Sequence, residues 1–387
     1  MKIVHIADTH LGLAQFQKVD PDTGMNLREK LIYDNFLASI DRIVALHPDV
    51  VVHAGDLFDQ VRPKTMAYTT ALEALGRLSG AGIPLVLIAG NHSMPKTRYT
   101  PSPFRVLEFH PADLHAAYRY RYEPVEIGEC VFHLIPNMLR PEHYRQAYDQ
   151  ITPARGRYNV LVTHGLASSL VEKRLNTVAE HEIDTTMVSG GDWLDYVALG
   201  HYHGQVPVGE RAWYSGSLEF LTYGEVDDTK GGLSIDLARR SVSHVPLPRT
   251  PMVDLGTIDA REVTPGEVPG LIRQRIDERS VSPLAMARVT LLFAGREHQR
   301  QVSTKDLDRE RSHLLDLKVQ VRVPGEHQAA GEPRDIRSID FLAEFDKFLS
   351  GKNLDAAEMD RVRRAGREAL SLALQGEEGE GGEGGAC

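Results

Sequence analysis

Cysteine is scarce in this chain of 387 residues, which contains only Cys130 and Cys387. The two lie far apart and in no pair motif, which excludes a disulfide framework and a cysteine-based structural zinc site. Long hydrophobic runs are also lacking, because no segment approaches the roughly 18 apolar residues of a membrane-spanning helix. The start, Met1-Lys2, leads into a strand pattern rather than a secretory signal. We therefore expect a cytoplasmic protein without a membrane partner.

An excess of positive charge is lacking too, since the formal net charge is -10 at pH 7. Affinity for nucleic acid depends largely on phosphate neutralisation, so this chain alone is expected to bind DNA weakly. Metal ions would add positive charge locally. Arginines are frequent between residues 249 and 323, but acidic residues are interspersed, and an ordinary solvated surface explains them equally well.

Five short motifs that carry chemistry follow one another along the chain. Each comes directly after a short run of apolar, often β-branched residues, as is typical of strands covered on both faces. The end of such a strand is where an open α/β sheet places its functional residues. The motifs are Asp8-Thr9-His10, Gly55-Asp56 with Asp59, Gly90-Asn91-His92, Thr163-His164-Gly165 and Gly200-His201-Tyr202-His203.

Helical patterns separate the first three of these strands. Apolar residues recur at helical spacing over residues 27–46, and a second helix is predicted over about 64–78. Alternating strands and helices predict a layered α/β domain. Gly55, Gly90 and Gly200 would let the backbone turn sharply and bring the motif side chains close to one centre.

The motif residues offer carboxylates, one amide and several imidazoles. Two divalent cations roughly 3.5–4 Å apart can bind a phosphodiester, activate water and stabilise the leaving oxygen. Such a pair needs a bridging carboxylate, for which Asp56 is the natural candidate. The mixed oxygen and nitrogen donors suit manganese, iron or zinc better than calcium.

The five motifs resemble those of the calcineurin-like metallophosphoesterase superfamily. Within it, residues 8–12, 55–59 and 214–219 are similar to the SbcD-type nucleases, which repair double-strand breaks together with an SMC-like ATPase. The resemblance covers about residues 1–375. It implies a layered calcineurin-like α/β sandwich with a smaller α/β capping domain and a C-terminal helix–loop–helix.

The resemblance also implies a role for each motif residue. One metal ion, with Mn²⁺ expected, would be held by Asp8, His10, Asp56 and His203. The other would be held by Asp56, Asn91, His164 and His201. His92 would stabilise the transition state or protonate the leaving 3′ oxygen, and Asp59 would lie near the phosphate.

Less specific interpretations remain open for some residues. The ligand histidines could match the motifs by coincidence, Asp59 could be a turn-capping carboxylate, and Ser217 could be a simple turn residue. His5, His53 and His133 are interpreted as core or supporting residues. Two positions depart from the family pattern: Ser93 replaces the usual Asp, which puts the rate in doubt, and Ser215 replaces the usual Pro.

Composition and the resemblance together divide the chain into five segments. After Pro248 the pattern predicts strand 252–255, helix 265–279, strand 287–293, helix 303–315 and strand 318–323. The predicted segments are a nuclease domain (1–248), a capping and DNA-binding domain (249–323), a linker (324–337), a helix–loop–helix (338–375) and a disordered tail (376–387).

The resemblance implies partners as well as DNA. The helix–loop–helix would bind the coiled coil of an SbcC-type SMC-like ATPase, although docking on the chain's own body is an alternative. A homodimer would form through 66–78 and 104–114. Five apolar residues are predicted to be exposed to the partner copy, unless they pack in the core: Leu72, Leu75, Phe104, Leu107 and Phe109.

The sequence thus predicts a metal-dependent, nucleoid-associated DNA nuclease. A metal-bridging hydroxide would attack the phosphate, giving 3′-to-5′ exonuclease activity on duplex ends and endonuclease activity on single strands or hairpins. One alternative is a small-nucleotide phosphodiesterase or phosphatase, which leaves the capping region and the helix pair unexplained. The other is a mainly architectural, end-tethering subunit with Ser93 marking a slowed site.

Overall fold

The computed structural model describes residues 1–95, 100–171, 182–189, 191–323, 341–350 and 359–367. It separates into two units, residues 1–325 and 326–387, and each is described by itself. The predicted linker, the start of each C-terminal helix and the predicted tail lie outside the described residues. No helix in the described ranges is long and apolar enough to cross a membrane.

The first unit contains two six-stranded sheets. In the first, four strands run parallel to one another: β1 (Lys2–Ile6), β2 (Val50–His53), β3 (Leu85–Ile88) and β4 (Leu114–Ala117). Beside β1 the sheet continues with β13 (Gly232–Asp236), which is antiparallel to β1, and β14 (Ser241–Val245), which is antiparallel to β13. The second has the order β11 (Val206–Pro207), β12 (Ala212–Tyr214), β10 (Tyr196–Gly200), β7 (Tyr158–His164), β6 (Cys130–Ile135) and β5 (Glu123–Ile127). Its four central strands are parallel.

Helices cover the outer faces of both sheets. α1 (Leu27–Val44), α2 (Thr65–Gly80) and α3 (Phe104–Leu107) pack on the first sheet, and α4 (Pro141–Tyr148) and α6 (Thr185–Val188) on the second. Between the sheets lies a further core, in which Val52 of β2 belongs to the same buried cluster as Phe132 of β6. Short elements complete this part: α5 (Ser168–Val171), the pair β8 (Leu166–Ala167) and β9 (Glu182–Ile183), and a 3₁₀ turn, Tyr223–Glu225.

This order of layers, helices–sheet–sheet–helices, confirms the predicted α/β sandwich. The central strands are buried on both faces, which explains why their sequences are apolar throughout rather than alternating. Asn26 caps α1 by accepting a hydrogen bond from the Glu29 backbone N–H, so the helix begins where its apolar periodicity does.

Residues 252–322 form a third, parallel sheet with its own core. Its elements are β15 (Met252–Asp259), α7 (Val268–Glu278), β16 (Met286–Leu292), α8 (Arg296–Gln301), α9 (Thr304–Ser312) and β17 (Asp316–Arg322). The five predicted elements are present. β15 continues past its predicted end, with a bulge between Asp254 and Thr257 that contains Gly256 (φ 79°). α8 was missed because none of its residues is buried. The domain boundaries themselves stay a prediction.

The residues predicted to face a partner copy are not all exposed. Leu75, Phe104 and Leu107 are at most 2% exposed and belong to the core between α1, α2 and the first sheet, so the prediction was wrong for these three. Helical apolar spacing does not distinguish a partner from a neighbouring sheet. Leu72 is half-buried against the same core, whereas Phe109 is 85% exposed.

The second unit contains α10 (Phe341–Ser350) and a helix over 359–367. Asp346 on the first helix forms ion pairs with Arg363 and Arg367 on the second. These two contacts hold the helices side by side within this unit.

Two predicted core histidines are buried and hydrogen-bonded on one nitrogen each. His5 Nδ1 lies 3.0 Å from the Tyr196 hydroxyl, and His53 Nε2 lies 2.8 Å from Thr9 Oγ1. Burial, reinforced by the charge of His53, lowers the pKa of His5 from 6.5 to about 3. The folded protein therefore keeps His5 neutral at a pH where the unfolded chain protonates it, and stability is lost as the pH falls from 6.5 towards 3.

We predict that replacing His5 reduces this pH dependence. Between about pH 7 and pH 5, the free energy of unfolding of metal-free protein should fall by about 2 kcal/mol less in His5→Gln than in the parent. Urea unfolding at both pH values measures the difference. The exposed His47 offers the control His47→Asn, which suits its positive φ. An equal pH dependence in parent and His5→Gln would contradict the assignment.

Candidate metal centre

The five motifs meet at one edge of the sandwich. They stand at or just after the carboxyl ends of β1, β2, β3, β7 and β10, which are parallel within each sheet. The contact between His164 and Asp56 shows that the strand ends of both sheets meet here. Four of the predicted ligands have left-handed backbone conformations: Asp8 (φ 52°), His10 (52°), Asp56 (51°) and His201 (97°). Such conformations cost roughly 1–2 kcal/mol each, and strain of this kind clusters at functional sites.

Three glycines make the close approach of the loops possible. A Cβ atom on Gly55 (φ 104°) would lie 2.1 Å from His164 Nδ1. On Gly90 it would lie 2.2 Å from Asp56 Oδ1, and on Gly200 it would lie 2.0 Å from the Ala54 carbonyl oxygen. Any side chain at these positions would displace a ligand or the backbone that holds it. The sequence prediction for these glycines is confirmed.

The first group of candidate ligands consists of Asp8, His10 and His203, whose donor atoms lie within 4.8 Å of one another. Nδ1 of His10 is 3.2 Å from Asp59 Oδ1, and Nδ1 of His203 is 3.1 Å from Glu225 Oε1. Each imidazole therefore has Nε2 left for another partner. His10 Nε2 is buried and has no hydrogen-bond partner among the described residues, which fits a metal ligand.

The second group surrounds the Asn91 side chain. His164 Nε2 and His201 Nδ1 each lie 3.0 Å from Asn91 Oδ1, and His164 Nε2 is 3.2 Å from Asp56 Oδ2. His164 donates its Nδ1–H to the Ala54 carbonyl at 2.9 Å, which orients the ring. The donor atoms of Asp8, Asp56 and His164 also lie within 4.8 Å of one another, so Asp8 belongs to both groups.

Charges in the site favour a cation between the carboxylates. Burial alone would lower the pKa of His164, but the Asp56 carboxylate and its hydrogen bond outweigh burial and raise it to about 9. Burial would conversely raise the pKa of Asp56, and the nearby imidazoles hold it well below its usual range. At neutral pH, His164 therefore carries an extra proton beside the Asp56 carboxylate. A divalent ion can replace this proton as the source of positive charge.

His92 and Asp59 lie at the exposed side of the first group. The His92 backbone N–H donates to Asp56 Oδ1 at 2.9 Å, and its Nδ1 lies 2.8 Å from the Asp59 carbonyl oxygen. The His92 ring also packs edge-on against His10, with centroids 4.7 Å apart. Since Nδ1 faces a carbonyl, it carries the proton, and Nε2 of His92 is the nitrogen available to a substrate.

Ser93 does not take part in orienting His92. Its side chain is fully buried and its Oγ has no hydrogen-bond partner among the described residues. The backbone carbonyl of Asp59 holds the His92 ring instead. The substitution at Ser93 therefore leaves the described His92 orientation intact.

The structure thus brings all nine predicted site residues to one edge, but the supporting residues were not predicted. Glu225 and Lys230 bind His203, and neither stands at a recognisable spacing from a motif. The Ala54 carbonyl, which binds His164, directly precedes the Gly55-Asp56 motif, but the role of a backbone carbonyl leaves no mark in the sequence. Tyr144 and Tyr214 were missed as well, although their hydroxyls donate to the carbonyls of His164 and Gly165. Only the fold places these groups beside the site.

A model of the calcineurin-like phosphoesterase family matches residues 1–205 of this chain. The chain belongs to that family. The superfamily named from the sequence motifs is thereby confirmed, and with it the class of fold.

The chain is also similar to archaeal proteins named DNA double-strand break repair protein Mre11. It is 29% identical to that of Sulfurisphaera tokodaii over 61% of this chain and 60% of the relative. For Methanocaldococcus jannaschii the identity is 32%, over 59% and 60%. For Saccharolobus solfataricus it is 40%, over 52% and 49%. The matched region thus spans about half to three-fifths of these relatives' length.

We predict that Gly90→Ala disrupts metal binding, because the new Cβ must displace the Asp56 carboxylate. Affinity for Mn²⁺ should fall at least about tenfold, as measured by calorimetry on protein whose folding is checked by circular dichroism. Gly209→Ala is the matched control, since a Cβ there meets nothing within 4 Å. Equal affinities in both variants would refute the close approach.

Proposed function

We propose that this chain is a two-metal DNA nuclease that acts in double-strand-break repair. Its activities would be 3′-to-5′ exonuclease cleavage of duplex ends and endonuclease cleavage of single strands or hairpins. The observation that carries the proposal is the pair of donor groups that meet at the buried carboxylates of Asp8 and Asp56, with the exposed imidazole of His92 beside them. The similarity to the archaeal repair proteins supports DNA as the substrate.

The donor set fits two divalent ions, with Mn²⁺ as the proposed species. One would be held by Asp8, His10, Asp56 and His203, and the other by Asp56, Asn91, His164 and His201. When bound, the ions supply a nucleophilic water and neutralise the phosphate charge. The protein's part is to fix these donors and to exclude other arrangements of them.

His92 is proposed as the residue that acts on the leaving group. The Asp59 carbonyl fixes Nδ1, so a protonated Nε2 can donate to the departing 3′ oxygen. We propose a positioning role for the Asp59 carboxylate, because it is already bound to His10 Nδ1 at 3.2 Å. This differs from the role near the phosphate that the family resemblance implies.

Charge in the third sheet supports weak DNA binding by this chain alone. Arg273 pairs with Glu310, Arg275 with Glu278, and Arg288 with Asp254. These arginines are engaged within the chain rather than forming a free basic surface. A partner is therefore proposed to supply much of the affinity for DNA.

The proposed partner is an SbcC-type SMC-like ATPase, with the helices at 341–350 and 359–367 as its contact. Their partly exposed apolar side chains, Phe348 (60%) and Val362 (43%), support this assignment. A homodimer is also proposed, with Phe109 and Met66 (45% exposed) replacing the three buried residues of the sequence prediction. The complex would work at the nucleoid in the cytoplasm.

Cleavage assays distinguish His92, proposed to act on the leaving group, from Asp56, a proposed metal ligand. With Mn²⁺, the parent should degrade a labelled linear duplex. His92→Ala should cut this rate by about 10²–10⁴-fold while keeping metal affinity, because its backbone N–H to Asp56 remains. Asp56→Asn should lose both activity and metal, whereas the exposed-site control His47→Asn should behave as the parent.

The alternatives give different patterns in the same assay. Hydrolysis of a chromogenic diester, with duplex, hairpin and single-stranded DNA all left intact, would contradict the nuclease and favour a small-nucleotide phosphodiesterase. Metal binding without hydrolysis of any substrate would favour an architectural subunit.

A further inference from the structure

We propose that Glu225 and Lys230 form a buried carboxylate–ammonium pair that positions His203 for its metal ion. The inference rests on the proposed metal centre. It adds to that centre two residues that belong to none of the five motifs. Both are positioning residues, which act through His203 and do not touch the substrate.

The Glu225 carboxylate is fully engaged. Oε1 accepts hydrogen bonds from His203 Nδ1 and Thr222 Oγ1, both at 3.1 Å. Oε2 accepts from the Leu221 backbone N–H at 3.0 Å and from Lys230 Nζ at 2.7 Å. With four donors around it, the carboxylate has a single orientation, and it imposes that orientation on the imidazole.

The Lys230 ammonium is equally constrained. Its side chain has no exposed surface, and Nζ donates to three acceptors: Glu225 Oε2, the His203 carbonyl at 2.8 Å and Ser217 Oγ at 2.9 Å. Three donors meet three acceptors, so the buried charge is satisfied. Lys230 thus holds the backbone of His203 directly and its side chain through Glu225.

The consequence for His203 concerns its tautomer. A proton held on Nδ1 by Glu225 leaves Nε2 with a free lone pair. Carboxylate partners of this kind orient metal-bound histidines and strengthen their binding. His10 has a similar partner in Asp59, but the Asp59 side chain is 15% exposed. The Glu225 carboxylate is instead held by an ion pair with the buried Lys230.

The same contacts give a role to the stretch at residues 214–219. Ser217 accepts from Lys230, donates its hydroxyl to the Glu219 carbonyl at 2.6 Å, and donates its backbone N–H to the His203 carbonyl at 3.0 Å. The Glu219 carboxylate in turn binds the buried Arg28. Ser217 therefore acts as an anchor for Lys230 and is more than a turn residue.

The test removes both charges together, because removing one would strand the other in the interior. In Glu225→Met/Lys230→Met, calorimetry and electron paramagnetic resonance should reveal two changes on titration with Mn²⁺. One ion should bind about 10–100-fold more weakly, while the other, at Asn91, His164 and His201, keeps its parental affinity. At Mn²⁺ concentrations that fill only the tighter site, the electron paramagnetic resonance spectrum of two coupled Mn²⁺ ions should be replaced by that of a single Mn²⁺ ion.

Thermal unfolding of the metal-free proteins checks that the double variant still folds. The double variant should still unfold in one cooperative step but at a lower temperature than the parent, because the Leu221 N–H and the Ser217 hydroxyl lose buried partners. Weaker binding of one ion only is therefore the sign of positioning. Lys30→Gln/Asp34→Asn, which removes an exposed ion pair, is the control for metal affinity. It should bind both ions as the parent does.

Three results would overturn the inference. Parental affinity for both ions in the double variant would show that the pair does not position His203. Equal weakening of both ions would assign the pair a general stabilising role. A parent that binds no Mn²⁺ would remove the metal centre itself, whereas a parent that binds two ions without cleaving DNA would remove only the proposed function.

Discussion

Two carboxylates are buried side by side at the edge where the sheets meet. Asp8 has no exposed surface and Asp56 is 2% exposed. Taking such groups out of water costs several kcal/mol each, unless positive charge and hydrogen-bond donors surround them. The local structure follows from this requirement: the imidazole of His164 and the backbone N–H groups of His92 and His201 all contact these two carboxylates. Two buried carboxylates side by side also favour the binding of cations between them.

Crowding at this edge explains the unusual backbone. The ligand loops can approach one another only because Gly55, Gly90 and Gly200 lack side chains. Left-handed conformations at Asp8, His10 and Asp56 then turn the ligand side chains towards a common centre. These strained positions lie directly after buried parallel strands, and the cores on both sides of the two sheets hold those strands in place.

The elements, and the meeting of the motif residues at one edge, could be predicted from the sequence because they depend on local patterns. Apolar runs marked the strands, and motif residues marked their ends. The supporting residues could not be predicted, since Glu225 and Lys230 reach His203 through loops whose course depends on tertiary packing. Leu75, Phe104 and Leu107 were misassigned to a partner surface for a related reason: apolar spacing shows that a face is buried, but not by what.

The proposed function depends on one requirement, that the two groups of candidate ligands hold two ions. Anomalous diffraction from crystals equilibrated with Mn²⁺ tests it most directly, because it locates each ion independently of activity. We expect two peaks roughly 3.5–4 Å apart, one beside His10 and His203 and the other beside Asn91, His164 and His201. A single peak at this edge, or none, would contradict a two-metal site.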